Sequence, residues 1–222
     1  MKLTERDSRL VAEAIRAAEA RTDGEVAAIV AASSDSYHDV VLHWSLLIAL
    51  LPLSIAAAFP SLALRGLELV TGGWEEAPDL RLLLTLLLVK TVALFLIARW
   101  IIGRPAIRMA LTPAATKARR VRRRAIMLFR TGTEQRTASA TGVLLYLSLA
   151  EHRAEIVADA AIHAKVDPAL WGEAMAVLIA AVREDRPGEG IAAAIGRIGD
   201  VLATHFPRGD DPNELPDRLI VL

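Results

Sequence analysis

Acidic side chains next to a histidine form one group in this chain that could carry out acid–base chemistry. Asp35 follows one short apolar segment, and Glu151 and His152 follow another. Carboxylates and imidazoles are the usual general acids and bases of enzymes. If both segments are neighbouring parallel strands, these side chains and Ser34 could converge at the sheet edge where open α/β sheets bind ligands. Asp35, Glu151 and His152 are therefore candidate catalytic residues.

A second group lies at the opposite ends of the same segments. Glu25 precedes the first apolar segment, whereas Asp159 and His163 follow a third one. Carboxylate oxygens suit a hard cation such as calcium, which needs several oxygen ligands. Glu25, Asp159 and His163 are therefore candidate metal ligands. For both groups, the competing interpretation is that they are solvated loop residues or helix caps.

The motifs of several enzyme classes are absent from the sequence. It contains no G-x-x-x-x-G-K-[ST], G-x-G-x-x-G, H-E-x-x-H or G-x-S-x-G pattern. The sequence therefore lacks the motifs of these nucleotide-binding sites, zinc proteases and serine hydrolases. The absence of cysteine excludes a thiol nucleophile. The 26 basic residues equal the 26 acidic ones, which gives no argument for nucleic acid as a partner. The sequence thus favours a non-enzymatic role.

Apolar periodicity and turn residues predict the elements that must position these groups. Residues 4–21 are typical of an amphipathic helix that begins with a capping box, and residues 25–31 of a buried strand. The later part predicts helices at 113–130, 167–182 and 191–205, strands at 142–149 and 154–158, and an edge strand at 219–222. A right-handed crossover between the first two strands would make them parallel, within a mixed sheet covered by helices.

Two long apolar blocks predict a transmembrane hairpin at residues 40–102. Residues 40–64 contain no Lys, Arg, Asp or Glu, and residues 82–102 contain only Lys90 and Arg99. A helix of about 20 residues crosses the ~30 Å hydrocarbon core of a bilayer. We expect spans at about 42–63 and 82–102, joined by an external loop at 64–81. The alternative, a buried helix pair of a soluble protein, fits less well because neither block has a polar face.

The hairpin would split one soluble domain into residues 1–39 and 103–222. Eight basic residues lie between the second span and residue 124, namely Arg104, Arg108 and a cluster of six at 117–124. The expected loop has only Arg65 and Arg81, and it is acidic at Glu68, Glu75, Glu76 and Asp79. Basic residues stay on the cytoplasmic side, so we expect a multi-pass protein of the inner (plasma) membrane with both termini in the cytoplasm. The N-terminus lacks the apolar region of a cleaved signal peptide, so the first span would direct targeting.

The basic cluster can also bind anionic lipid headgroups, because it follows the membrane closely. The alternative is that the basic cluster only sets the membrane topology. The six residues are Lys117, Arg119, Arg120, Arg122, Arg123 and Arg124.

Lys90 lies deep inside the second span, where a charge costs about 2.5–3.5 kcal/mol on insertion scales. It needs a polar partner or a route to the interface. Pro52 breaks the hydrogen-bond ladder of the first span, and Ser54 lies at a similar depth, so Lys90 is expected to face this kink. Lys90 then has a structural role, either by packing against the kink or by extending its ammonium group toward the interface. The alternative role is in an ion pathway, although two spans enclose no channel.

Three stretches carry a resemblance to a known family. They are Thr22-Asp23-Gly24-Glu25-Val26, the hairpin from Thr141-Gly142-Val143 to Ile156-Val157-Ala158-Asp159, and His205-Phe206-Pro207. The chain resembles the TPM domain of thylakoid lumen, photosystem II repair and acetylcholine-receptor-modulator proteins, and in particular bacterial membrane members whose domain two spans interrupt. The resemblance implies an α/β/α sandwich with a four-stranded sheet.

The resemblance also bears on function. Some plant members are associated with acid phosphatase activity and calcium binding, and others assist assembly or repair of membrane complexes. Lumenal members often carry glycine after the third strand, where this chain has Asp159. We expect a membrane-anchored module that binds another membrane protein or maintains a membrane complex; the alternative is a metal-dependent phosphatase-like hydrolase. The residues themselves identify no cofactor, and calcium is implied only by the resemblance.

Overall fold

The structure, a computed structural model, describes residues 3–71, 80–132, 141–209 and 218–222. The chain forms two compact units, residues 1–35 with 114–222 and residues 36–113. In chain order, the first segment of the larger unit holds α1 (Glu5–Glu19) and β1 (Glu25–Ala31). Its second segment holds α6 (Ala114–Gly132), β2 (Gly142–Ser148), β3 (Arg153–Ala158), α7 (Ala160–Lys165), a 3₁₀ turn (Pro168–Leu170), α8 (Trp171–Arg183), α9 (Pro187–His205) and β4 (Leu219–Val221). The smaller unit holds α2 (His38–Ala58), α3 (Pro60–Thr71), α4 (Leu80–Ile102) and α5 (Pro105–Leu111).

The larger unit is built on a mixed four-stranded sheet in the order β3-β2-β1-β4. Strand β1 is parallel to β2 and to β4, and β3 returns antiparallel to β2. Glu25 lies opposite Gly142 and Ala31 opposite Ser148, so the carboxyl ends of the two central strands are level. The predicted parallel pairing of the first two strands is confirmed.

Helices cover both faces of this sheet. Side chains alternate along each strand, so Val26 and Leu145 pack on one face against α1, α8 and α9. Ile29 and Tyr146 lie on the other face, where α6 packs with Val121, Ala125 and Phe129 at four-residue spacing. The predicted α/β/α sandwich is therefore confirmed.

The smaller unit contains two helices long and apolar enough to cross a membrane, α2 and α4. At 21 and 23 residues they are about 31 and 34 Å long. They pack through Val41, Ser45 and Ala49 on α2 and through Ala98 and Ile102 on α4. Small residues at such positions let transmembrane helices approach closely. Their outer surfaces are apolar, with many bulky side chains exposed: for example, Leu47 and Leu88 are 60% and 63% exposed.

Helix α4 covers the expected second span at 82–102, whereas α2 ends five residues before the expected end of the first span at residue 63. Helix α2 ends at Ala58 with Phe59 as its C-cap, because Pro60 follows and cannot continue its hydrogen-bond ladder. Helix α3 then occupies the first half of the expected loop 64–81, whose residues 72–79 lie outside the described residues. Glu75, Glu76 and Asp79 of the predicted acidic loop therefore have no structural description.

The unit boundaries also differ from the expected division after residues 39 and 102. Helix α5, which the sequence did not predict, belongs to the smaller unit, because Ile107 and Leu111 pack on the cluster of Val41, Ala98 and Ile102. The smaller unit accordingly extends from residue 36 to residue 113.

Candidate functional site

The carboxyl ends of β1 and β2 bring together a buried network of hydroxyl and carboxyl groups. The turn after β2 is held beside β1, because the amides of Leu149 and Ala150 donate to the carbonyls of Ala31 and Ala32 at 3.0 Å. This places Glu151 next to the segment that follows β1, 117 positions away in the chain. Glu151 is only 5% exposed.

Both carboxylate oxygens of Glu151 accept hydrogen bonds from the protein. Oε1 accepts from the Ser34 amide at 2.9 Å and from the Ser33 hydroxyl at 3.3 Å, and Oε2 accepts from the Ser148 hydroxyl at 2.5 Å. The Ser34 hydroxyl extends the network to Ser148 at 2.8 Å and to the Tyr146 hydroxyl at 2.9 Å. Hydrogen bonds to a charged acceptor are strong in a buried, low-dielectric site. The Glu151 carboxylate therefore ties the turn after β2 to the segment that follows β1.

The other two candidate catalytic residues lie at the same sheet edge in different environments. Asp35 forms an ion pair with Arg120 of α6 at 3.0 Å, and the two side chains are 38% and 14% exposed. His152 is exposed and holds the turn in a left-handed conformation with φ of 50°. The structure thus brings Asp35, Glu151 and His152 to one sheet edge. The carboxylates of Asp35 and Glu151 both bind other side chains or amides of the same domain.

A cleft of about 560 Å³ opens beside this network. Its polar lining consists of Lys117, His152, Arg153 and Arg183 together with Glu151. Its remaining wall is largely apolar, from Leu147, Ala154, Met175, Leu178, Ile179 and Val182. A cleft of this composition suits a ligand that combines an anionic group with an apolar part.

Sequence reasoning did not identify several residues of this edge. Tyr146 and Ser148 belong to a strand that is buried along its whole length, and a hydroxyl in such a strand is a signal for a buried polar network. Arg153 and Arg183 join the cleft only through the antiparallel return of β3 and the packing of α8, neither of which a local pattern shows.

The carboxyl group of Glu155 has a perturbed pKa. Burial raises the pKa of Glu155 on β3, while the positive charges of Arg122 and Arg153 partly offset this effect. The Arg122 guanidinium lies 4.0 Å from the Glu155 carboxylate, whose side chain is about three-quarters covered.

The three candidate metal ligands do not gather around one point suited to calcium. Glu25 and Asp159 are both buried, and the Asp159 carboxylate accepts a hydrogen bond from the Gly142 amide at 2.8 Å. His163 is exposed on α7. Within the described residues there is no group of three or more His, Cys, Asp or Glu side chains that could hold a metal ion. Calcium takes six to eight oxygens, so the described part of this edge does not fit the ion that the resemblance implies.

The basic cluster of α6 divides into three environments. Arg119, Arg122 and Arg123 are exposed, whereas Lys117, Arg120 and Arg124 are partly covered. This follows from the helix period, since Val121 and Ala125 face the sheet whereas Arg122 and Arg123 lie on the outer side of the helix. Three of the six residues thus form an exposed basic surface, while Lys117 lines the cleft and Arg120 pairs with Asp35.

In the smaller unit, Lys90 and Pro52 line one cleft of about 390 Å³. The hydroxyl of Ser54 donates to the Leu50 carbonyl of its own helix at 3.0 Å. Apart from Lys90, every residue of this cleft is apolar: Ile48, Leu51, Pro52, Ile55, Ala56, Leu62, Ala63, Leu87 and Leu94.

Comparison with known proteins gives a fold and no function. No family model matches the chain, and no curated protein matches it. The NMR structure of the BA42 protein from the psychrophilic bacterium Bizionia argentinensis is similar, with a TM-score of 0.56 and 16% sequence identity. The match covers 100% of this chain and 97% of that one. At this identity the likeness shows a shared fold alone.

Proposed function

We propose that this chain is a membrane-anchored, TPM-like binding module that docks on another membrane protein or helps to maintain a membrane complex, without catalysis of its own. In this proposal residues 36–113 anchor the chain in the inner (plasma) membrane by two crossings. The larger unit then lies in the cytoplasm together with both termini.

The observation that carries the proposal is the sheet pairing across the apolar unit. Strand β1 precedes that unit in the chain and β2 follows it, yet they pair from Glu25 opposite Gly142 to Ala31 opposite Ser148. A folded sheet cannot be divided by a bilayer, so a membrane-inserted apolar unit has to return the chain to the side from which it left. Two crossings by α2 and α4 meet this condition.

Aromatic and basic residues at one end of the helix pair support insertion. Trp44 and Trp100 lie near the packed ends of α2 and α4, and both are exposed. The guanidinium of Arg104 stacks over the Trp100 ring at 4.3 Å from its centroid. Tryptophan and arginine are enriched where a helix leaves the hydrocarbon, which fits a cytoplasmic interface at this end.

The non-enzymatic part of the proposal is supported by the state of the candidate carboxylates. Glu151 accepts three hydrogen bonds within the domain, and Asp35 pairs with Arg120. Both groups therefore already have structural roles. The neighbouring basic cleft provides a surface for a partner with acidic and apolar side chains.

Affinity purification of the full chain from detergent-solubilised membranes tests this function. The cleft variant carries Lys117→Glu and Arg183→Glu. The matched control carries Arg9→Glu and Arg197→Glu, two exposed positions outside the cleft, and so changes the net charge by the same amount. We expect the wild-type chain and the control to enrich the same membrane protein, and the cleft variant to lose it. The proposal fails if nothing is enriched specifically or if all three chains enrich the same set.

The alternative function is a phosphatase-like hydrolase, metal-dependent as the resemblance implies. The basic lining of the cleft favours it, because arginine and lysine side chains bind phosphate esters, and His152 could serve as a proton donor. The assay is hydrolysis of p-nitrophenyl phosphate by the full chain with magnesium, manganese, calcium or zinc. Turnover that Arg183→Ala and His152→Ala abolish would support it, and no turnover in any of these conditions would exclude it for this substrate class.

A further inference from the structure

Lys90 lies at the middle of an apolar helix. It is ten positions after Leu80 and twelve before Ile102, the two ends of α4. At 1.5 Å per residue, each end is at least about 15 Å away along the helix axis. A four-carbon stem does not span that distance, so snorkelling alone does not bring the ammonium group to the headgroups.

The ammonium group also lacks a counter-charge within the part of the smaller unit that the structure describes. No hydrogen bond or ion pair there engages Lys90, and its cleft is otherwise apolar. The acidic residues of its described helices are Asp39, in the first turn of α2, and Glu68 of α3, and neither lines the cleft. A lysine held in hydrocarbon without a partner is unfavourable, and such residues pair with an opposite charge or a polar group.

The shape of the cleft suits a helix rather than lipid tails alone. Pro52 and Ala56 of α2 and Ala63 of α3 contribute small or short side chains to its wall. Small residues allow the backbone of a neighbouring transmembrane helix to approach closely, and close approach strengthens a polar contact between helices.

We propose that the Lys90 cleft is the docking site for a transmembrane helix of another protein that carries an Asp or Glu in the middle of its span. Charge complementarity selects this occupant, because a carboxylate at that depth pairs with the ammonium group. A second copy of this chain does not fit, since its own α4 brings a second lysine and no acid to the same depth. The inference rests on the proposed membrane insertion and specifies the chemistry of the partner.

The test uses the full chain in phosphatidylcholine vesicles and synthetic transmembrane peptides as probes. The peptides are leucine-alanine helices that differ only at the central residue, which is Asp, Lys or Leu. Association is measured by energy transfer between a labelled peptide and a dye on a single introduced cysteine, which is possible because the chain has no cysteine. The variants are Lys90→Leu, Lys90→Glu and, as matched control, Arg99→Leu, which removes one positive charge from the same helix outside the cleft.

We expect the wild-type chain and Arg99→Leu to bind the Asp peptide at least about threefold more tightly than the Leu peptide. Lys90→Leu should bind both equally, and Lys90→Glu should prefer the Lys peptide. Equal binding of the Asp and Leu peptides by the wild-type chain would overturn the inference, as would a preference that persists in Lys90→Leu. Extraction of the vesicles at alkaline pH separates the two failures: a chain that is extracted refutes membrane insertion and with it the proposed function, whereas a retained chain without the preference refutes only the docking site.

Discussion

Replacing Glu151 by alanine tests whether this carboxylate is a structural tie or a catalytic group. The substitution removes the acceptor of three hydrogen bonds, from the Ser34 amide, the Ser33 hydroxyl and the Ser148 hydroxyl. Hydrogen bonds to a charged group contribute about 1.5–3 kcal/mol each, and contributions within one network do not add fully. Because the donors at Ser34 and Ser148 lose a buried acceptor, we expect a loss of about 3 kcal/mol in the free energy of unfolding of the larger unit.

Pulse proteolysis of the full chain in detergent micelles across a urea series measures this loss. With a denaturant slope of about 2 kcal/mol/M, the midpoint should fall by about 1.5 M. The matched control is Glu173→Ala, since Glu173 is an exposed glutamate of α8, and its removal should change stability by less than about 0.5 kcal/mol. The conservative variant Glu151→Gln should lie between the wild type and Glu151→Ala, because its amide keeps one acceptor oxygen.

One pattern of results would refute the structural interpretation of Glu151. A Glu151→Ala chain that unfolds at the wild-type midpoint, together with loss of phosphoester hydrolysis that the wild-type chain possesses, would mean that the carboxylate acts on a substrate. We expect the opposite pattern: a lower midpoint and no hydrolysis in either chain.

Two further predictions follow from packing and ionisation. Gly199→Ala should lower the free energy of unfolding by about 1–3 kcal/mol, because a Cβ there would lie 2.6 Å from the Cβ of Ala18 in α1. The control Gly196→Ala, on the same helix with no atom within 4 Å of the added Cβ, should raise the free energy of unfolding by up to about 1 kcal/mol. Equal effects of the two substitutions in urea denaturation would contradict the described α1–α9 contact. Burial raises the pKa of Glu155 above its unfolded value, so folding favours the protonated form, and stability is lost as the pH rises through the folded pKa. Glu155→Gln should therefore be more stable than the wild type at pH 8 and equal to it below about pH 4, and an equal difference in urea midpoint at both pH values would count against a buried carboxylate.

The sequence was sufficient for elements whose pattern is local. Strand β1 was predicted at its observed bounds, because a short apolar run between Gly24 and Ser33 has few other structures. The capping box at Thr4 and Asp7 was also predictable, since both of its hydrogen bonds join residues three apart. Two short apolar runs around the turn at 150–153 predicted the hairpin, and the order of the elements predicted the mixed sheet.

Features that depend on contacts between distant segments were not predictable. Helix α9 begins at Pro187 rather than at residue 191, because Gly188 and Gly190 allow close contacts with Asp7 and Ala181 that local turn signals do not show. The sequence placed Ser34 and Glu151 at one sheet edge, but it did not identify the hydroxyl of Ser148, which links them at the end of β2. Helices α3, α5 and α7 are 12, 7 and 6 residues long, and such short segments give little periodicity.

Labelling of single cysteines in intact cells tests the central claim most directly. The chain has no cysteine of its own, so each introduced thiol reports one position: Arg9→Cys on α1, Arg197→Cys on α9 and Leu69→Cys on α3, all exposed. We predict that a membrane-impermeant maleimide labels the cysteine at position 69 from outside, and reaches those at positions 9 and 197 only after the cells are permeabilised. Labelling of positions 9 and 197 from opposite sides of the membrane would contradict a single domain assembled from both ends of the chain.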